Sequence, residues 1–65
     1  MTFIEAVNKA YKENNENGTL FKILLQKDDE NHYFPVWVYR SGTILFSWNS
    51  FSVNKLNEDN WELDE

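Results

Sequence analysis

The chain has 65 residues, six of them basic and eleven acidic, for a net charge of −5. That length allows a single domain, 1–65, and the charge excludes the broad basic patch of a general nucleic-acid binder. With no Cys and one His, neither disulfides nor a zinc staple is available, so stability must come from dense packing or self-association.

Thr2-Phe3-Ile4-Glu5 reads as a capping box, in which the Thr2 hydroxyl and the Glu5 carboxylate each accept the other's amide. Phe3, Ile4, Val7, Ala10 and Tyr11 then recur at helical spacing, and Glu5 to Lys9 is an i,i+4 ion pair. The spacing predicts a helix over 2–15, fraying through Asn14–Asn17 and stopping at Gly18.

From Thr19 to Lys27 the pattern alternates with period two, which predicts a strand. Asp28-Asp29-Glu30-Asn31 is a polar turn, and His32–Tyr39 is a second strand, with a bulge or break expected near Pro35. Ser41-Gly42 predicts a tight two-residue hairpin turn into a third strand over Ile44–Trp48. Ser50 or Ser52 then caps a helical turn through Val53, Lys55 and Leu56, and Trp61 and Leu63 form a short strand or an extended cover. The fold class is α+β: an N-terminal amphipathic helix on a three- to four-stranded antiparallel sheet, with a short helical turn near the C-terminus.

The two-residue turn sets Val38 opposite Leu45 and Trp37 opposite Phe46; a first turn centred on Asp29-Glu30 sets Leu25 opposite Phe34 and Phe21 opposite Val38. One face then carries Phe21, Ile23, Leu25, Phe34, Val36, Val38 and Leu45, and suits packing under the helix. The other carries Leu20, Lys22, Leu24, Tyr33, Trp37, Tyr39, Ile44, Phe46 and Trp48. An open antiparallel sheet normally has one polar face, and here neither is polar. A one-residue slip exchanges members between faces without making either polar. The second face therefore needs the C-terminal segment, another subunit or a ligand over it.

No enzyme motif can be assembled, and no cofactor is implied. His32 reads as a strand-end surface side chain with no Ser or Cys beside it, and Asp28-Asp29-Glu30 lacks the spacing and glycine of a calcium loop. Gly18 and Gly42 are the only glycines, so there is no phosphate loop. No apolar run approaches the roughly 20 residues of a membrane span, and no signal peptide is read, which together suggest a cytoplasmic protein.

Two surfaces remain. Lys22, Tyr33, Trp37, Tyr39, Arg40, Phe46 and Trp48 form a candidate ligand or interface set. Aromatic planes stack on bases for about 1–3 kcal/mol each, and cations neutralise phosphate; the alternative is a core or subunit interface. Glu58, Asp59, Glu62, Asp64 and Glu65 form an acidic surface suited to a protein partner, as a nucleic-acid mimic, or simply a solubilising tail.

Phe3-Ile4-Glu5-Ala6-Val7 in a capped first helix resembles the "F-x-E-A" opening of small phage proteins. The stretch from Phe51 to Leu63 resembles their acidic "D-W-E" ending, with Asn60 inserted between Asp59 and Trp61. The layout is similar to that of the phage Thoeris anti-defence sponge proteins. That resemblance implies a non-enzymatic homo-oligomer in the host bacterial cytoplasm that sequesters a cyclic nucleotide-type immune signal in pockets between subunits. Where that family has a Gly-Lys and Arg-x-x-Trp stretch, this chain reads Asn14 to Thr19, and no binding residue carries over. The alternatives are an acidic inhibitor of a host or defence protein, or a structural oligomerisation module.

Overall fold

The computed structural model describes residues 1–26, 35–47 and 53–64. Helix α1 spans Phe3–Asn17, strand β1 Phe21–Gln26, β2 Val36–Tyr39 and β3 Ile44–Phe46. The short helix α2 spans Val53–Asn57 and strand β4 Trp61–Leu63. The fold is α+β, with α1 packed on a four-stranded antiparallel sheet of order β3-β2-β1-β4. The predicted Asp28–Asn31 turn and the Ser50 or Ser52 cap lie outside the described residues.

Helix α1 begins where its capping box demands. The Thr2 amide donates to Glu5 Oε1 at 2.9 Å, and the Glu5 amide donates to Thr2 Oγ1 at 3.2 Å. The helix ends at Gly18, whose φ of 69° is left-handed backbone that a glycine adopts without strain. It runs two residues past the expected end at 15, and the reason is tertiary. Asn14, predicted to fray, is fully buried; its Nδ2 donates to the Val38 carbonyl at 2.9 Å, and its Oδ1 accepts from the Thr19 hydroxyl at 2.8 Å. Phe3, Ala6 and Ala10 complete the buried stripe, the alanines letting the helix sit close to the sheet, while Ile4 and Tyr11 of the expected stripe are exposed.

The hairpin between β2 and β3 corrects the expected register. Its loop holds three residues, Arg40, Ser41 and Gly42, rather than two. The Gly42 amide donates to the Tyr39 carbonyl at 2.9 Å, the Tyr39 amide donates to the Thr43 carbonyl at 2.8 Å, and Gly42 takes φ 97°. This is the turn-plus-bulge loop with glycine in the left-handed position. Trp37 therefore opposes Leu45, and Val38 opposes Ile44. The β1–β2 ladder is also one residue from expectation, pairing Phe21 with Tyr39 and Lys22 with Val38. Pro35 lies just ahead of β2, where its missing N–H removes no ladder bond.

Directly opposed residues share a face, so both shifts exchange the sides of β1 and β3 while β2 keeps its own. Lys22, Leu24, Gln26, Val36, Val38, Ile44, Phe46, Trp61 and Leu63 are on the helix side. Phe21, Ile23, Leu25 and Leu45, expected under the helix, are on the far side with Trp37 and Tyr39.

The core joins Phe3, Ala6 and Ala10 to Leu24, Val36, Val38, Trp61 and Leu63. Phe3 stacks on Phe46 at 5.9 Å and meets the Trp61 ring edge-on at 5.0 Å, so one helix residue ties β3 to β4. Trp61 and Leu63 do form a strand. Met1 pairs with its outer edge: the Met1 amino group donates to the Trp61 carbonyl at 3.0 Å, and the Trp61 amide donates to the Met1 carbonyl at 2.9 Å.

At one end of this core, fully buried Gln26 holds α2 against the sheet. Its Nε2 lies 2.8–2.9 Å from the Lys55 carbonyl, Glu58 Oε2 and Asn60 Oδ1. An amide has two protons for these three acceptors. The backbone carbonyl and the carboxylate can only accept, which fixes the amide's orientation and leaves Gln26 Oε1 without a partner among the described residues. The same Lys55 carbonyl also accepts from Trp61 Nε1 at 3.0 Å.

Asn14→Ala removes the side-chain donor to the Val38 carbonyl and the acceptor of the Thr19 hydroxyl, and is expected to cost about 1–3 kcal/mol. In a domain this size that lowers the melting midpoint by about 4–8 °C per kcal/mol, readable by circular dichroism. The Glu5 carboxyl is held below its ordinary value of 4.5 by the Thr2 backbone amide first and the Thr2 hydroxyl second. Its contribution is therefore present above the ordinary value and lost as pH falls through the lowered one. Urea midpoints measured against pH are expected to lose that acid-side slope in Glu5→Gln.

Candidate functional site

The far side of the sheet is the candidate site. Reading across it, Phe21 lies beside Tyr39, Trp37 between Ile23 and Leu45, and Leu25 beside Glu62. Phe21 is 41% and Leu45 51% exposed, while Ile23, Leu25, Trp37 and Tyr39 are half-buried. The Phe21 and Tyr39 rings tilt against each other at 5.7 Å. Helix α1, and the Leu56 side chain of α2, pack on the opposite side.

The edge of this face is acidic. Glu62 on β4 opposes Leu25 and is exposed. Asp64, also exposed, keeps strand pairing through its amide, which donates to the Ile23 carbonyl at 2.8 Å, so it projects on the same side as Glu62. Among the described residues these two carboxylates are the charges on the face. The opposite border, Thr43 and Ser47, is neutral.

The structure divides the residues predicted for a ligand or interface. Trp37 and Tyr39 share the open face. Lys22 is on the helix side, and Phe46 packs into the core on Phe3. Arg40 sits in the hairpin loop, where Nη1 donates to the Gly18 carbonyl at 3.2 Å and its amide donates to the Leu20 carbonyl at 2.8 Å. Tyr33 and Trp48 lie outside the described residues.

The acidic set divides too. Glu58 turns inward to Gln26, and the Asp59 carboxylate lies 3.7 Å from the Met1 amino group. Glu62 and Asp64 border the face, and Glu65, like His32 and Asp28–Glu30, is outside the described residues. The residues that sequence reasoning missed are Phe21, Ile23, Leu25 and Leu45, which belong to the face. Loop length at Gly42 is the signal that places Leu45, since one more residue in the loop inverts β3; Phe21, Ile23 and Leu25 follow instead from the β1–β2 pairing.

No group of ligating side chains fit to hold a metal forms among the described residues, nor does an enclosed cavity. None of the described helices is long and apolar enough to cross a membrane. No family model matches this chain, and no curated protein or solved structure matches it.

The division of aromatics between core and face predicts opposite mutational costs. Phe46→Ala is expected to destabilise by roughly 3 kcal/mol, because it opens a hole beside Phe3. Leu45→Ala, one residue away on the open side, should stay within about 0.5 kcal/mol of the parent. Equal costs in chemical denaturation would contradict the face assignment.

Proposed function

We propose that this chain is a non-enzymatic binding module that engages a protein partner through the open sheet face. The observation that carries the proposal is the face itself: Phe21, Ile23, Leu25, Trp37, Tyr39 and Leu45 side by side, bordered by Glu62 and Asp64. A contiguous apolar patch with a polar rim is the make-up of a protein interface, and aromatic residues supply most of the binding energy there. The two surfaces read separately from the sequence, one aromatic and one acidic, meet at this edge. A small inhibitor that covers a functional surface of a host or defence protein needs no more than such a face.

A sequestered nucleotide is the competing reading, supported by the aromatic planes of Trp37 and Tyr39. An anionic ligand on this face meets two carboxylates, and the cations expected to neutralise it, Lys22 and Arg40, are placed elsewhere. It would need a second subunit to bring the positive charge.

The test is affinity purification from a bacterial host beside native mass spectrometry of the eluate, using wild type, Leu45→Asp and Glu16→Gln, the last an exposed α1 control. A protein partner retained by wild type and Glu16→Gln but lost from Leu45→Asp is the expected result. A stoichiometric nucleotide mass on a multimer of this chain, with no protein partner, would favour the nucleotide reading instead.

A further inference from the structure

The spacing of the two rim carboxylates specifies more than a negative edge. Residues two apart on a strand project on the same side, about 6.6–6.8 Å from one another. Residues four apart on an α-helix share a face and rise about 6.0 Å along its axis. A helix lying along β1 thus brings a cation at i and another at i+4 beside Glu62 and Asp64 together.

The apolar part of the face has the width for such a helix. From the rim inward it runs through Ile23 and Leu25 on β1, Trp37 and Tyr39 on β2, to Leu45 on β3. Three strands span about 10 Å between the outer two, and a helix with its side chains is about 10–12 Å across. The neutral border at Thr43 and Ser47 places no charge demand on the other flank. The chain's own long helix does not meet the requirement in a second copy. The exposed side of α1 mixes signs, with Glu5 near Lys9 and Lys12 paired to Glu16 at 3.9 Å. Two copies stacked face to face add four rim carboxylates with no cation on either face among the described residues.

We infer that the open face receives an amphipathic helix of a partner protein, carrying Lys or Arg at i and i+4 along one flank of its apolar stripe. This rests on the protein-binding reading above and names the partner's chemistry. Docking such a helix makes α1 and the partner the two outer layers of a helix–sheet–helix sandwich.

The experiment titrates the full chain with an 18-residue leucine–lysine helical peptide bearing lysines at i and i+4 on one flank. A matched peptide has glutamates at those positions. Amide chemical shifts and calorimetry are the readouts. The lysine peptide is expected to shift amides of β1, β2 and β3 and to bind about tenfold tighter than the glutamate peptide. The double variant Glu62→Lys, Asp64→Lys is expected to invert that preference, and Glu16→Lys to leave it unchanged.

Equal binding of both peptides overturns the inference, as does a preference that the double reversal leaves intact. Shifts confined to other surfaces, or the absence of binding, also overturn it. If the rim reversals do nothing while Leu45→Asp still releases the purified partner, the face binds protein but not a basic helix. If Leu45→Asp also retains that partner, the protein-binding reading itself fails. Circular dichroism of each variant confirms that the fold is intact.

Discussion

Gly42 at φ 97° decides which way every side chain of β3 points. The chain leaves β2 at Tyr39 and re-enters the ladder at Thr43, and the hydrogen bonds across that loop leave no freedom in the count. Because the period of a strand is two, the count puts Phe46 under Phe3 and Leu45 in the open. A side chain at Gly42 would strain this loop even though the space beside it is free, its nearest neighbour being Tyr11 at 3.9 Å. Phe46 in the core and Leu45 on the far side of the sheet are thus two outcomes of one loop.

Around that register the fold is closed by polar groups as much as by apolar ones. Asn14 and Gln26 are both fully buried, one at each end of the sheet's inner side. Asn14 joins the end of α1 to the middle of β2, and Gln26 joins the end of β1 to α2 and to the approach to β4. Buried amides are costly unless bonded, so the donors of each amide nitrogen are met only by one arrangement of its partners. In a core of eight buried apolar residues among those described, two of them alanine and two valine, such anchors supply the specificity that bulk packing lacks.

What could be read from the sequence follows the range of the interactions. The start of α1 was legible because Thr2 and Glu5 are three residues apart and need nothing else. Its stop at Gly18 was legible from the glycine itself, but the helical state of the turn before it was not, because Asn14 is held by Val38, 24 residues away. The strands were legible from their alternation, but which side of β1 and of β3 faced α1 hung on one residue of register at each pairing. The presence of a second apolar face was legible all the same, since the sheet carries Phe21, Ile23 and Leu25 on one side and Leu24, Val36 and Val38 on the other. The Gln26 cluster was not legible, because its partners lie 29 to 34 residues away and look like ordinary surface residues. The acidic rim was visible as composition; only the β1–β4 pairing separates Glu62 and Asp64 from Glu58 and Asp59.

The pairing of Met1 with Trp61 spans 60 positions of the chain. Trp61 is also the partner of Phe3 in the core and the neighbour of Gln26 on the sheet. During synthesis, at about 5–20 residues per second, α1, β1, β2 and β3 leave the ribosome before the strand that completes them. Until then the helix lacks the second of the two rings that Phe3 packs against, and one edge of β1 is open. Contacts so distant in sequence also slow the closing step, since the loop entropy must be met before the contact rewards it. The nascent chain therefore presents two incomplete apolar surfaces at once, and β4 closes the one beneath the helix.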